Sequence, residues 1–149
     1  MIALLDVNVL VAIAWPNHVH HQAARTWFRS QKSAGWATCP ATQTGFIRVS
    51  SNRSITPEAR SPQEAALLLR RLISLPGHAF WLDDSSLLDE KWITLDRITT
   101  HHQVTDAHLL ALALNRGGCL ATFDRGISRL IPPGLDAGHA LQLIPFDNE

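Results

Sequence analysis

The chain has 149 residues, of which 46% are hydrophobic and 17% are charged, and its formal net charge is zero. This composition excludes a disordered tail, and the length predicts a single domain over residues 1–149 that buries a core without disulfides. Zero net charge also excludes a protein that coats nucleic acid by bulk positive charge, because non-specific affinity comes from neutralising phosphates.

Neither a membrane anchor nor a disulfide framework is indicated. No window approaches eighteen uncharged apolar residues, and the first residues lack the basic region and cleavage site of a signal peptide. Cys39 and Cys119 show no zinc-ligand spacing and lie in apolar surroundings, which predicts buried, reduced thiols. We therefore expect a cytoplasmic protein that does not associate with membranes.

Short apolar runs alternate with helical patterns in the first half of the chain. Residues 2–5 predict a buried strand that ends at Asp6, and Asn8 is expected to cap a short helix running to about Ala14. Three further elements follow: an amphipathic helix around Trp27 and Phe28, a strand at 36–39, and a helix that starts at Pro40 and continues to Val49. The capping box Ser61-Pro62-Gln63-Glu64 then predicts the start of another helix.

The second half continues the alternation. It predicts a strand at 78–82, a short helix within 83–96, a helix at 106–115 capped by Thr105, and strands at 119–123 and 141–144. Short strands that alternate with helices indicate βαβ units. We expect an α/β fold with a central, mostly parallel sheet of four to five short strands and helices on both faces.

Three carboxylates are expected at one edge of this sheet. Asp6 and Asp124 each follow a buried strand, and ligands bind at the carboxyl ends of strands in open α/β sheets. Asp106 lies in the first turn of the helix that precedes the strand of Asp124, which brings it to the same edge. Crowded carboxylates repel one another unless a cation lies among them, and oxygen ligands suit Mg²⁺ or Mn²⁺. Such an ion promotes phosphodiester hydrolysis.

Each of these residues also has a simpler interpretation. Asp106 could be an ordinary first-turn acid favoured by the helix dipole, and Asp124 before Arg125 and Gly126 could end a strand in a simple turn. Asp6 is harder to explain in this way, because an aspartate at a buried strand end needs a partner.

Four segments taken together carry a family resemblance: 4–10, 36–40 with 42–49, 104–109 and 120–126. They are similar to the PIN-domain ribonucleases, and most closely to the VapC toxins of bacterial toxin–antitoxin pairs. The resemblance implies a three-layer PIN fold, a Mg²⁺- or Mn²⁺-dependent endoribonuclease that blocks translation by cutting RNA, a cognate VapB antitoxin that inhibits it, and a homodimer.

The resemblance also implies which residues form the site. The acidic site of the family carries over to Asp6, Asp106 and Asp124 as catalytic residues and metal ligands. Asn8 and Thr122 match its usual polar companions, and we place Thr105 with them as a supporting residue.

One residue departs from the family pattern. Where a glutamate is common at the start of the third helix, this chain has Gln43. An amide still offers a carbonyl oxygen, but the site loses one negative charge. We expect weaker metal affinity and one tightly held ion. The alternative function is a catalytically weak PIN-like module that binds RNA or a protein partner.

Other side chains leave alternatives open. His18 or His102 could contact the RNA backbone beside the site, be solvent-exposed loop residues, or contribute to a zinc site that no cysteine or HExxH spacing supports. Arg48 could pair with a carboxylate near the site or close a structural ion pair. Trp15 and Trp81 could contact a partner or pack in the core.

Competing enzyme classes lack their motifs, and the charge is unevenly distributed. Neither GxxxxGK[ST] nor GxGxxG is present, and no lysine follows a late strand as a receiver domain requires. Residues 1–75 hold 8 Lys or Arg against 3 Asp or Glu, whereas residues 76–149 hold 5 against 10. The zero balance is therefore a cancellation between a basic and an acidic half, and the basic helices are the expected RNA-facing or antitoxin-facing surface.

Overall fold

The computed structural model describes residues 1–57 and 59–146, in which five strands form one sheet. The strands are β1 (Ala3–Leu5), β2 (Trp36–Thr38), β3 (His78–Phe80), β4 (Cys119–Thr122) and β5 (Leu141–Leu143). Their spatial order is β3-β2-β1-β4-β5, and all four pairs of neighbours are parallel. The predicted α/β architecture with a parallel central sheet is confirmed.

Helices cover both faces of the sheet. They are α1 (Val7–Ala14), α2 (His21–Gln31), α3 (Pro40–Ser50), α4 (Pro62–Ile73), α5 (Val104–Asn115) and α6 (Ala137–Ala140). Successive strand residues point to opposite faces, so Ala3 and Leu5 pack in the core beneath α1 to α4. Leu4 packs in the second core, which is built largely from α5. The result is a three-layer arrangement.

The strand order reverses between β1 and β4. From β1 the chain passes to β2 and β3 on one side, and it then returns through α5 to β4 and β5 on the other. Diverging connections leave a crevice at the carboxyl ends of the two central strands, which is where ligands bind in such sheets. Asp6 follows β1 directly and Asp124 follows β4 by two residues.

Two predicted helix caps are wrong. Asp6, not Asn8, caps α1, because its side chain accepts a hydrogen bond from the N–H of Val7, the first residue of the helix, at 2.7 Å. Thr105 does not cap α5, because a 3-10 turn at His101–Gln103 leads directly into the helix and places Thr105 inside its first turn.

The short helix predicted within residues 83–96 is limited to 3-10 turns, and no α-helix forms in this described segment. This segment contains a 3-10 turn at Leu87–Asp89 and the start of another at Leu95–Arg97. Glu90 ends the first turn in the left-handed conformation, with φ of 49°, which stops helical propagation.

Several buried side chains settle earlier alternatives. Trp15 and Trp81 are 8% and 7% exposed and pack in the two cores. Cys39 and Cys119 are buried free thiols, and burial raises the pKa of Cys119. In the described ranges 1–57 and 59–146, none of the helices has both the length and the apolar character needed to cross a bilayer.

A glycine positions α3 against the start of α1. A Cβ added at Gly45 would lie 2.5 Å from Val7 Cγ2, and the β-branched valine has few alternative rotamers that could relieve this contact. We expect Gly45→Ala to lower the free energy of unfolding by about 1–3 kcal/mol, since overpacking outweighs the higher helix propensity of alanine. Thermal unfolding measures the loss, since each kcal/mol lowers the melting temperature by about 2–4 °C.

The double variant Gly45→Ala/Val7→Ala is the matched control, because it removes the opposing methyl groups. In that background Gly45→Ala should cost little or be stabilising. An equal loss of stability in both backgrounds would contradict the proposed contact.

Candidate active site

The first carboxylate of the site is held in place by two hydrogen bonds. Asp6 is only 8% exposed at the carboxyl end of β1. Its Oδ1 accepts from the Val7 N–H at 2.7 Å, and its Oδ2 accepts from the Thr122 hydroxyl at 2.8 Å. Both oxygens are thus oriented by the backbone of α1 and the last residue of β4.

The Thr122 hydroxyl links the two central strands. Besides donating to Asp6, its Oγ1 accepts from the Asp124 N–H at 3.0 Å and from Asn8 Nδ2 at 3.4 Å. A hydroxyl has one donor and two acceptor positions, so all of them are used. Thr122 therefore brings three of the sequence-predicted site residues, Asp6, Asn8 and Asp124, around one buried oxygen.

The other two carboxylates differ in their surroundings. Asp124 is exposed, and its Oδ1 accepts from the Gly126 N–H at 2.8 Å, so the strand-ending turn that the sequence suggested is present. Asp106 is partly buried in the first turn of α5. Within residues 1–57 and 59–146, none of the hydrogen bonds or ion pairs involves its carboxylate.

Burial and mutual repulsion raise the pKa values of two of the three carboxylates. Burial, followed by the charges of Asp6 and Asp124, raises the pKa of Asp106 from 3.8 to about 6. Burial is also the main cause of a raised pKa at Asp6, which the bonds from Thr122 and Val7 partly oppose and the charge of Asp124 reinforces. The three carboxylates thus interact electrostatically, and a cation among them would relieve their repulsion.

The donor set fits a hydrated divalent ion. All candidate ligands are oxygens, and the buried Asn8 Oδ1 has no hydrogen-bond partner in the described part of the chain. Over the same residues, no group of three His, Cys, Asp or Glu side chains forms a preassembled metal site. Mg²⁺ keeps several of its waters and needs only one or two direct carboxylates, so these residues suit it better than an ion held by protein ligands alone.

Gln43 is directed toward the sheet. Its Nε2 donates to Thr38 Oγ1 at 3.0 Å, and that hydroxyl lies 2.7 Å from His78 Nε2. Burial lowers the pKa of His78, which favours the neutral ring beside the Thr38 hydroxyl. Sequence reasoning missed this network, because nothing in the sequence pairs residues 38 and 78 before the register of β2 and β3 is known.

The remaining predicted residues do not join the hydrogen bonds of the acidic site. Thr105, Arg48 and His102 are exposed, and the His102 ring lies 3.8 Å from that of His101. None of the ion pairs of the described chain involves Arg48. His18 accepts the His20 N–H at Nδ1, and its pKa is lowered by burial and then by the charges of His20 and His21.

Comparison with known proteins gives a consistent set of relatives. The family model described as PIN domain matches residues 3–131. Ribonuclease VapC39 of Mycobacterium tuberculosis is 48% identical over 135 residues, which cover 91% of this chain and 97% of the relative. Ribonuclease VapC38 is 48% identical over 86% of this chain and 89% of its own length, and Ribonuclease VapC44 is 43% identical over 96% and 100%, both from the same organism.

Proposed function

This chain belongs to the PIN-domain family of VapC-type ribonucleases, and from that premise we propose that it is a metal-dependent endoribonuclease toxin with Asp6, Asp106 and Asp124 at its catalytic site. The observation that carries the proposal is the convergence of Asp6, Asn8 and Asp124 on the Thr122 hydroxyl at the strand-order reversal. The charges of Asp6 and Asp124 also raise the pKa of Asp106, which supports its place in the same site. In the cytoplasm the enzyme would inhibit translation by cutting RNA.

Each carboxylate has a distinct task in this proposal. Asp6 presents a fixed oxygen pair, because Thr122 and Val7 hold it. The pKa of Asp106 is raised to about 6, and a bound cation would favour its ionised form. A bound Mg²⁺ or Mn²⁺ would activate water and stabilise the charge that develops on the phosphate. Asn8 Oδ1 is available to the same ion or to its water shell.

RNA cleavage with and without divalent ions tests the function. Purified protein should cleave single-stranded RNA with Mg²⁺ or Mn²⁺, lose activity in EDTA, and regain it when the ion is restored. The second candidate is the catalytically weak RNA- or protein-binding module, which the amide at Gln43 favours because it lowers the negative charge of the region. RNA binding without cleavage in any divalent ion would support that module and contradict the enzyme.

The proposed partner is a VapB-type antitoxin encoded by a small neighbouring gene. Its acidic segment would cover the basic helices of residues 1–75, and the toxin would act as a homodimer. Expression of the chain alone should arrest growth and produce new RNA 5′ ends, whereas co-expression with the neighbouring gene should prevent both. Equal growth and equal RNA ends in the two cultures would argue against toxin–antitoxin pairing.

Restoring a carboxylate at position 43 should strengthen metal binding. We expect Gln43→Glu to tighten Mn²⁺ binding about tenfold, since an added charge near a divalent ion contributes about 1.4 kcal/mol in a partly screened site. The carboxylate cannot donate to Thr38, so the hydrogen bond from the Gln43 amide is lost in the variant. Calorimetry measures the affinity, and Gln63→Glu, on an exposed turn of α4, is the matched control. Unchanged affinity in Gln43→Glu would count against a role for this position.

A further inference from the structure

An aromatic cluster lies at the carboxyl edge of the sheet, around the residues that follow β4 and β5. The ring of His20 lies 4.8 Å from that of Phe123 and 4.2 Å from that of Phe146, and the two phenylalanine rings are 5.8 Å apart. The guanidinium of Arg125 lies over the Phe146 ring at 5.9 Å from its centroid. We call these four side chains the aromatic cluster.

The chain places the aromatic cluster next to the candidate metal ligands. Phe123 separates Thr122 from Asp124, and Arg125 follows Asp124 directly. Phe146 comes three residues after β5, the neighbour of β4 in the sheet. The acidic site and the aromatic cluster therefore meet at the carboxyl end of β4.

The segment that carries His20 is held in a defined conformation. The His18 Nδ1 accepts the His20 N–H at 3.0 Å, and the His21 Nδ1 lies 2.7 Å from the Ala12 carbonyl oxygen of α1. Phe123 packs against the core that lies beneath α1 to α4, and Phe146 is partly exposed. A fixed, partly exposed ring beside a guanidinium is suited to hold a flat ligand.

The acidic site needs such a surface in order to hold RNA. Three carboxylates repel a phosphate backbone, and residues 76–149, which carry Asp106, Asp124 and most of the aromatic cluster, hold 10 Asp or Glu against 5 Lys or Arg. Aromatic rings bind unpaired bases by stacking, which needs no net charge, and arginine adds cation–π and phosphate contacts. Single-stranded RNA offers both chemistries to the aromatic cluster.

We propose that the aromatic cluster is a stacking site for an unpaired nucleobase next to the scissile phosphate, with Phe146 as the principal ring and Arg125 beside it. This inference rests on the proposed ribonuclease function. The stacking site would select the substrate through residues outside the acidic site. RNA in which the base next to the scissile phosphate is paired would therefore be excluded.

The test compares two labelled oligonucleotides that differ only in their bases. Fluorescence anisotropy in EDTA measures binding of single-stranded A12 RNA and of an abasic 12-mer with the same ribose-phosphate backbone. We expect the wild-type protein to bind A12 at least about tenfold more tightly, as one stacked base provides. Phe146→Leu keeps an apolar side chain but should reduce the ratio below about threefold, with abasic affinity unchanged.

Phe80→Leu is the matched control, because Phe80 is 50% exposed on β3 at the opposite edge of the sheet. It should keep the wild-type ratio. Equal binding of both oligonucleotides by the wild-type protein, or the same loss in both variants, would overturn the proposal.

Photo-crosslinking gives a second readout if Phe146→Leu fails to fold. RNA containing 5-iodouridine, irradiated with the wild-type protein in EDTA, should crosslink to the aromatic cluster, and crosslinks found exclusively elsewhere would overturn the inference. The two proposals fail separately. Divalent-dependent cleavage without a preference for RNA that carries bases would contradict the stacking site alone. Base-dependent binding without cleavage would contradict the ribonuclease function alone.

Discussion

Asp6→Asn is expected to lower the rate of divalent-dependent RNA cleavage about a thousandfold or more. The substitution removes the charge of the most deeply buried carboxylate of the site. A divalent ion contributes several kcal/mol of transition-state stabilisation, and a loss of about 4 kcal/mol corresponds to a thousandfold in rate. Gel analysis of RNA incubated with equal amounts of wild-type and variant protein in Mn²⁺ measures the effect.

The variant should still fold, because an amide oxygen can accept one of the two hydrogen bonds that now reach Asp6 from Val7 and Thr122. Asp89→Asn is the matched control, since it makes the same chemical change at an exposed carboxylate in a 3-10 turn. Cleavage by Asp6→Asn at the wild-type rate would show that the acidic site is assigned wrongly.

The fold and the approximate location of the carboxylates follow from local patterns. The apolar run that ends at Asp6 and the run that ends near Asp124 are each visible in the sequence, and a parallel sheet brings such ends to one edge. The strand order was not predicted, because it depends on which side of β1 each connection takes. The crevice between β1 and β4 became evident from the sheet topology alone.

Side-chain directions were harder to predict than strand positions. Asn8 is a good capping residue by type, yet Asp6 takes that role because its carboxylate is already at the strand end. Gln43 occupies the predicted helix start but donates to Thr38, a partner on the neighbouring strand. Rings such as Phe123 and Phe146 meet across distant segments, and no spacing in the sequence indicates that contact.

Asp106→Asn should abolish cleavage and at the same time stabilise the metal-free protein. The Asp106 carboxyl has a pKa of about 6 in the folded chain against 3.8 ordinarily, so the folded state binds more protons than the unfolded state between these pH values. The free energy of unfolding of the wild-type protein therefore falls as the pH rises through this window. Asparagine cannot ionise, so the variant avoids the loss.

At pH 7 we expect the variant to be more stable by about 1–2 kcal/mol, which is less than the full shift implies because solvent screens a half-buried carboxylate. That gain corresponds to a melting temperature higher by roughly 2–4 °C per kcal/mol. Near pH 4 the two proteins should melt at nearly the same temperature. Thermal unfolding in EDTA at pH 4, 5.5 and 7 measures the trend.

The sign of this effect separates the two interpretations of Asp106. If it is an ordinary first-turn acid favoured by the dipole of α5, removing its charge costs about 0.3–1 kcal/mol, and the variant melts lower at pH 7. If Asp106 is instead crowded by Asp6 and Asp124, the variant has the higher melting temperature at pH 7. Added Mn²⁺ then raises the melting temperature of the wild-type protein more than that of the variant, because the ion binds the folded, charged site. A lower melting temperature combined with full RNA cleavage would remove Asp106 from the site.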